Sequence, residues 1–302
     1  DSASPWQAKA DVSVKNFDPA VWLPWPRPAG DAVQRTRLNG QGQVELSMPG
    51  RLEDLQGKGR FQLADSQLLG VPASGEVKAD QSASGKGTLL VAQAQLKAAG
   101  NEAQADLRWP GGVGLDGQAP QSTGARLQAK INAPALAGLQ GWVQPMGWRG
   151  LKGQVQADVT LESPGPGRWA TTGDMSATGV QADLPQGGQA LLDDAHANWV
   201  MGLGDAPATA KPWRLDARVA QARWGQWGAQ QFKALIEGMA AQHRWSWQVR
   251  IDLPERKTDS GDSVRESALA QASGQSSWSG NLLAESDRAW HSRVNALKVQ
   301  PL

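Results

Sequence analysis

Histidine side chains can act as catalysts or as metal ligands. There are three, His196, His243 and His291, and the chain contains neither Cys nor Tyr. Without Cys, thiol catalysis, disulfide bonds and thiolate metal sites are excluded. The three histidines lie in separate segments and lack the spacing of a metal site or of a base beside its nucleophile. We therefore expect each of them to be an ordinary surface histidine.

A glycine-rich segment, 112–117, matches the GxGxxG pattern of dinucleotide-binding loops. That pattern binds pyrophosphate only between a strand and the N-terminus of a helix. Here Pro110 precedes the segment, and the residues that follow it, QAPQSTG, do not predict a helix. We interpret the segment as a surface loop and expect no cofactor.

Adjacent carboxylates occur at Asp193 and Asp194 and at Glu53 and Asp54, and paired carboxylates can perform general acid–base catalysis. Consecutive side chains of a strand point to opposite faces, so two neighbours do not share one site. A turn or a sheet edge is the simpler interpretation of both pairs. Since the sequence shows no other catalytic pattern, we predict that the protein is not an enzyme and binds no metal.

The charge and the hydropathy of the chain restrict the remaining classes of protein to which it could belong. The chain has 302 residues and a formal net charge of +1. This balance leaves no surplus of cations to neutralise a phosphate backbone, so we expect no nucleic-acid partner. The first residues lack the cationic region and the apolar region of a signal peptide. No window reaches the ~20 apolar residues of a membrane-spanning helix. We expect a soluble segment of a longer protein, with any export signal and membrane anchor outside this fragment.

The elements that position these groups are strands, because apolar and polar residues alternate along many segments. The alternation is clearest at 38–48, 125–131, 151–161 and 245–253. Each such segment has one apolar and one polar face, and turn residues separate the segments, which predicts an antiparallel all-β architecture. Short helices that begin at a proline are expected at 18–22 and 134–139. Loops are expected at 110–124, 163–167, 202–212 and 255–277.

Parts of the chain repeat each other. LNGQGQVEL at 38–46 is matched by LKGQVQADV at 151–159, and the final run from Trp290 resembles the run from Trp6. Near-periodic strand units are typical of solenoid-like arrays that grow along one axis. We predict one continuous sheet formed by a first β-repeat unit at 1–131, a second at 132–289 and the start of a further unit at 290–302.

The apolar face of such a sheet must be covered, either by protein or by a ligand. A closed β-sandwich filled by Leu, Val and Ile is one interpretation. The other is an open groove for hydrocarbon chains, because small residues such as Gly40, Gly42 and Ala157 occupy inward positions and a packed interior leaves no such space. The aromatic residues are mostly Trp, 15 against 3 Phe, and indole suits a rim where apolar and polar surfaces meet.

The alternation assigns residues to the two parts of this predicted groove. The rim candidates are the tryptophans that begin or lie within strands, Trp6, Trp213, Trp247 and Trp290. The candidate lining residues are the inward-pointing aliphatic and aromatic side chains Leu38, Val44, Leu46, Phe61, Leu63, Val77, Leu107, Leu127, Ile131, Leu151, Val155, Val159, Leu215, Val219, Val249 and Ile251.

Several segments of the chain resemble a known family. They are FDPAVWLP at 17–24, LNGQGQVELSMPG at 38–50, LADSQLLGVPASGEV at 63–77, INAPALAGL at 131–139, GLKGQVQADVTL at 150–161 and the strand from Trp290 to Pro301. Together they resemble the central repeat region of the TamB family, the inner-membrane subunits of translocation and assembly modules. That family belongs to the AsmA-like superfamily of bridge-like lipid-transfer proteins. Another AsmA-like protein, such as a type II secretion subunit N, would share much of this pattern.

This resemblance implies an elongated, twisted antiparallel sheet curled into a trough, or β-taco, with an apolar concave face. It implies a periplasmic location in a Gram-negative bacterium, an inner-membrane anchor and a contact with the outer-membrane barrel subunit TamA, both outside this chain. The implied function is the passage of phospholipid acyl chains between the two membranes, in support of outer-membrane protein assembly and secretion. A rigid periplasmic scaffold without lipid carriage and a carbohydrate-active solenoid are the alternatives.

Overall fold

The structure is a computed structural model in which seventeen strands are described. It describes residues 5–18, 36–49, 55–84, 87–111, 123–165, 168–203, 212–253, 256–257, 263–264, 266–279 and 289–302. Within these residues the chain forms two compact units. Unit 1 comprises Asp1–Met146 and Thr160–Pro166, and unit 2 comprises Gly147–Val159 and Gly167–Leu302. The strand β8 therefore contributes residues to both units.

Exposure alternates along several of the first eight strands, most regularly at 56–68 and 149–165, as expected for strands with one apolar and one polar face. Their bounds are β1 (Trp6–Phe17), β2 (Leu38–Met48), β3 (Gln56–Leu68), β4 (Val71–Ser84), β5 (Gly87–Ala98), β6 (Asn101–Pro110), β7 (Arg126–Ala133) and β8 (Arg149–Gly165). The strand β1 is exposed along nearly all of its length.

The remaining strands belong to unit 2. They are β9 (Arg168–Asp183), β10 (Gln189–Leu203), β11 (Trp213–Trp224), β12 (Trp227–Met239), β13 (Gln242–Asp252), β14 (Arg256–Lys257), β15 (Ser263–Val264), β16 (Ser267–Ser279) and β17 (Ala289–Pro301). The short strands β14 and β15 pair only with each other.

The other fifteen strands form one antiparallel sheet whose order follows the chain from β1 to β13 and then continues with β16 and β17. Neighbours in this sheet are therefore also neighbours in sequence, except that β14 and β15 lie between β13 and β16 along the chain. The sheet does not close on itself, and β1 and β17 are its two edges. The antiparallel all-β architecture predicted from the alternation is confirmed.

One short helical segment packs on the end of the sheet in unit 1. It consists of 3₁₀ turns at Leu136–Leu139 and Gln144–Met146 on either side of the α-helical turn Gln140–Val143. Trp142 Nε1 donates a hydrogen bond to the carbonyl oxygen of Leu68 at 2.9 Å. This segment confirms the helix predicted at 134–139, and it covers a small core of Val71, Ala73 and Ala98.

Two of the predicted loops need correction. Residues 267–277, part of the loop predicted at 255–277, belong to β16, where alternate residues such as Ala268, Ala270 and Ala272 are buried. Its serines and small residues resemble those of a loop, yet their alternation matches a strand packed under larger neighbours. The turn predicted at 163–167 is wrong at its start, because residues 163–165 belong to β8.

Several expectations lie wholly or mainly outside the described residues. They are the helix at 18–22, the loops at 110–124 and 202–212, the GxGxxG segment at 112–117, and the carboxylates Glu53 and Asp54. Among the residues that the structure does describe, no helix has the length and hydropathy needed to cross a membrane.

Candidate functional site

The strands of unit 1 place apolar residues directly opposite one another. Phe61 on β3 pairs with Val77 on β4, and Leu107 on β6 pairs with Leu127 on β7. Directly paired residues lie on the same side of a sheet, so the predicted inward positions of successive strands form one apolar face. This face is partly open to solvent, since Val77 keeps 48% and Val12 42% of its surface exposed.

The opposite face of unit 1 is charged, and its charges are matched between strands. Lys9 Nζ lies 2.7 Å from Glu45 Oε1, and Glu76 accepts hydrogen bonds from Lys78 and Arg60. The hydrogen bond from Lys9 lowers the pKa of the Glu45 carboxyl. The hydrogen bond from Lys78, followed by that from Arg60, lowers the pKa of Glu76. These cations and carboxylates on β1 to β4 therefore neutralise one another.

The glycines on the apolar face of unit 1 do not leave the space expected of them. A Cβ on Gly40 would lie 2.6 Å from Phe61 Cζ, and a Cβ on Gly42 would lie 2.8 Å from Phe61 Cδ2. In unit 2 the indole of Trp199 fills the corresponding space over Gly173. A large ring that covers a glycine on the neighbouring strand recovers packing that the glycine lacks. The expectation of free volume at Gly40 and Gly42 is therefore wrong.

The apolar face of unit 2 does contain an open groove, and a single cross-strand row explains it. Val180, Leu192, Ala222, Ala229 and Ile251 pair in succession from β9 to β13. The two alanines lie between larger aliphatic residues, so the surface is lower in the middle of the row. The resulting cavity, which we call the unit 2 groove, has a volume of about 640 Å³, within the ~300–1,000 Å³ range of ligand sites.

Indole rings form one end of the unit 2 groove. Trp224 and Trp227 pair across the tight turn formed by Gly225 and Gln226, and both also line the groove. Gly225 has a φ of +60°, a conformation that glycine adopts without strain. Trp148 packs edge-to-face on Trp224, with ring centroids 5.6 Å apart. Trp224 and Trp227 are each 52% exposed, so the groove meets solvent at an indole boundary.

A second aromatic cluster lies where β11 and β17 begin and β16 ends. His243 stacks on Trp213 with a centroid distance of 4.6 Å and lies 5.1 Å from Trp290, which also contacts Trp278. His243 is only 1% exposed, and neither of its ring nitrogens has a hydrogen-bond partner among the described residues. The expectation of a surface histidine is wrong here, because His243 lies on the apolar side of β13.

The other candidate chemical groups are dispersed. His291 is exposed, as expected, whereas His196 is half-buried and lies 3.4 Å from Asp174 Oδ2. Asp194 has a φ of 44° at an irregularity in the pairing of β10, where Asp193 Oδ1 accepts a hydrogen bond from the Gly179 amide at 2.8 Å. These carboxylates therefore shape local backbone. Within the described part of the chain, no three His, Asp or Glu side chains cluster as metal ligands.

The structure brings only some of the predicted lining residues together. Leu151, Val249 and Ile251 line the unit 2 groove. Val155, Val159, Leu215 and Val219 lie elsewhere in unit 2. The remaining candidates belong to unit 1, namely Leu38, Val44, Leu46, Phe61, Leu63, Val77, Leu107, Leu127 and Ile131.

The four predicted rim tryptophans do not share one environment. Trp6 is exposed on the edge strand β1, and Trp290 is exposed on the edge strand β17. Trp247 is half-buried between Ala234 and Ala272 in the middle of the apolar face. Trp213 is buried and donates its indole N–H to the Gly202 carbonyl.

Comparisons of this chain with protein-family models, with curated proteins and with solved structures find no match.

Sequence reasoning missed most of the residues that line the unit 2 groove, above all Trp148, Trp224 and Trp227. The sequence Trp224-Gly225-Gln226-Trp227 did contain a signal, because two large residues that flank a glycine-containing two-residue turn are typical of a hairpin. The two alanines of the groove floor, Ala222 and Ala229, gave no local signal. They become a groove only because the pairing places them side by side.

Proposed function

We propose that this protein binds hydrocarbon chains of phospholipids on the apolar face of its sheet, as part of a conduit for lipids. We assign the unit 2 groove, whose lining is mostly aliphatic and aromatic, as a binding site for such a chain. The observation that carries this proposal is the row from Val180 to Ile251, in which the pairing of Ala222 with Ala229 leaves a depression between larger aliphatic residues.

The hydrophobic effect supplies the driving force. Each CH₂ group moved out of water contributes about 0.8 kcal/mol, so burial of ten methylenes would contribute about 8 kcal/mol before the entropic cost of ordering the chain. Most residues that line the groove are aliphatic or aromatic, and the one charged residue among them, Arg223, is exposed, so no buried charge opposes this burial. A phosphate headgroup would remain in solvent beyond Trp224 and Trp227.

The wider role that we propose follows the resemblance to the TamB family. In this role the chain is a segment of a periplasmic β-taco, anchored to the inner membrane by a region outside the fragment. Lipids would pass along it toward an outer membrane whose barrel subunit, TamA, contacts another part of the protein. Within each unit the order of the sheet follows the chain, so that successive strands extend one apolar face, and this supports the proposed role.

A rigid scaffold for protein assembly, without lipid carriage, is the second candidate. The observation that favours it is the filling of glycine positions by Phe61 and Trp199, since a face that packs its own gaps needs no ligand. A conduit requires that lipid hydrocarbon contacts the apolar face while the protein functions, whereas a scaffold does not.

Site-specific photo-crosslinking distinguishes these candidates. A photoreactive amino acid is placed at Val249 in the unit 2 groove or at Gln221 on the polar face of the same unit. In unit 1 the matched pair is Leu127 and its neighbour Gln128, which lie on opposite faces of β7. After illumination with alkyne-labelled phospholipid, adducts are quantified by gel fluorescence and mass spectrometry.

For a conduit we expect lipid adducts at Val249 and Leu127 and few at the two glutamines. Equal labelling of both faces would contradict the proposal. Adducts at Val249 alone would reduce the function to a local lipid site in unit 2. No adduct at either apolar position, in protein with a native circular dichroism spectrum, would favour the scaffold.

A further inference from the structure

The polar face of unit 2 contains a row of cations that its own side chains do not neutralise. Arg218, Lys233, Gln248, Gln271 and Lys298 pair in succession across β11, β12, β13, β16 and β17. All five line a concavity of about 660 Å³ on this face, which we call the cationic cavity. It lies on the opposite side of the sheet from the unit 2 groove.

The charges in the cationic cavity are unbalanced. Asp216 is the single carboxylate among its lining residues. Arg218 pairs directly with Lys233, and like charges in directly opposed positions destabilise a sheet. Within the described parts of the chain, Arg218, Lys233 and Lys298 form no ion pair. On the polar face of unit 1 the directly opposed cations Arg60 and Lys78 both form ion pairs with one carboxylate, Glu76, whereas Arg218 and Lys233 share none among the described residues.

We propose that the cationic cavity binds an extended acidic segment of a partner protein. The sign of the charge selects an anionic partner, because an anion between these cations removes their repulsion. The amides of Gln248 and Gln271 and the hydroxyls of Ser246 and Ser273 also line the cavity. They can donate and accept hydrogen bonds, as a peptide backbone requires.

The shape and length of the cavity fit a peptide better than a flat lipid surface. The cavity is concave, so a planar layer of headgroups would reach its edges and not its floor. From β11 to β17 there are four strand spacings in the sheet order, which amounts to about 19 Å at ~4.8 Å each. An extended chain covers this span with roughly six residues. A partner segment of that length with several Asp or Glu residues would match the cations at both ends.

The test uses the whole chain and two labelled peptides. One is an eight-residue peptide of alternating Glu and Ser, and the other is its neutral counterpart of alternating Gln and Ser. Binding is measured by fluorescence anisotropy at about 50 and about 300 mM salt, since screening weakens exposed charge contacts. The test variant is R218Q/K233Q/K298Q. The matched control, K9Q/K58Q/K78Q, removes the same charge from the polar face of unit 1.

We expect the acidic peptide to bind, and the test variant to weaken it about tenfold or more, whereas the control changes it by about twofold or less. The charge reversal K233E should also weaken binding while it places a carboxylate opposite Arg218, so that circular dichroism and thermal unfolding show an intact fold. Equal losses in test and control variants, or equal binding of the neutral peptide, would overturn the proposal. It would also fail if only phosphatidylglycerol vesicles bound, in a manner that R218Q/K233Q/K298Q abolishes.

Discussion

Phe61 covers Gly42 on the neighbouring strand, so that a Cβ on Gly42 would lie 2.8 Å from Phe61 Cδ2 and 2.6 Å from the Arg60 carbonyl oxygen. A Cβ on Gly59 in the same part of the sheet would meet its nearest atoms at 3.9 Å, which is an ordinary contact. These two glycines therefore have different roles. Gly42 makes room for a ring, whereas Gly59 only lacks a side chain.

Alanine substitutions test this difference. We expect Gly42→Ala to lower the free energy of unfolding by about 1–3 kcal/mol, because the methyl group overpacks against Phe61 and the backbone. Gly59→Ala should instead raise it by about 0.5–1 kcal/mol, since alanine loses less backbone entropy in a strand. Urea denaturation measures both changes. Shifts of the same sign and size for both variants would show that Phe61 does not occupy the space over Gly42.

The buried imidazole of His243 predicts a stabilising substitution. Its two nitrogens have no hydrogen-bond partner among the described residues, and an unpartnered buried polar group costs free energy. Phe at this position keeps the aromatic contact with Trp213, so we expect His243→Phe to raise the free energy of unfolding by about 1 kcal/mol. The exposed His291 provides the control, His291→Phe, with little change. A clear loss of stability in His243→Phe would mean that the imidazole makes a contact that phenylalanine cannot replace.

The lowered pKa of Glu76 predicts that the thermal stability of the protein depends on pH. Its pKa is lowered from the ordinary value of 4.5 by hydrogen bonds from Lys78 and Arg60. Since the folded pKa lies below the unfolded one, its contribution is present above pH 4.5 and is lost as the pH falls through the folded value. Between about pH 6 and about pH 3 the native chain should therefore lose more thermal stability than Glu76→Gln.

The control for this acid titration is Glu266→Gln, which removes an exposed carboxylate without an ion pair to the described residues. Glu266→Gln should follow the native pH profile. If the profiles of Glu76→Gln and the native chain coincide, the contacts of Glu76 with Lys78 and Arg60 make no difference to folding.

The floor of the unit 2 groove offers a test of lipid binding. Ala222→Phe should fill the groove and weaken binding of a fluorescent fatty-acyl probe about tenfold or more. The control, Gln221→Phe, adds the same ring on the polar face and should leave binding unchanged. Melting temperatures of both variants show whether the fold is kept. Undiminished binding to a folded Ala222→Phe would remove the groove as the acyl site.

The amino-acid sequence by itself determined the type of element and the two faces. Alternation at 38–48 and 245–253 predicted the strands β2 and β13, and the proline at 134 predicted the helical segment that covers Val71 and Ala98. These predictions succeed because the alternation of side chains along a strand depends only on local backbone geometry. The error at His243 was avoidable, since His243 has the same parity as Trp245 and Trp247.

Only the tertiary structure decided where the free volume lies. Phe61 fills the space over Gly42, and a groove lies over Ala222 and Ala229. Both features depend on which residues of different strands lie opposite each other. The irregularity at Gln231 shifts the register between β12 and β13 in a way that alternation does not specify. Pairing between strands is set by contacts between distant parts of the chain, so the sequence supplied the apolar face and the pairing placed the groove in it.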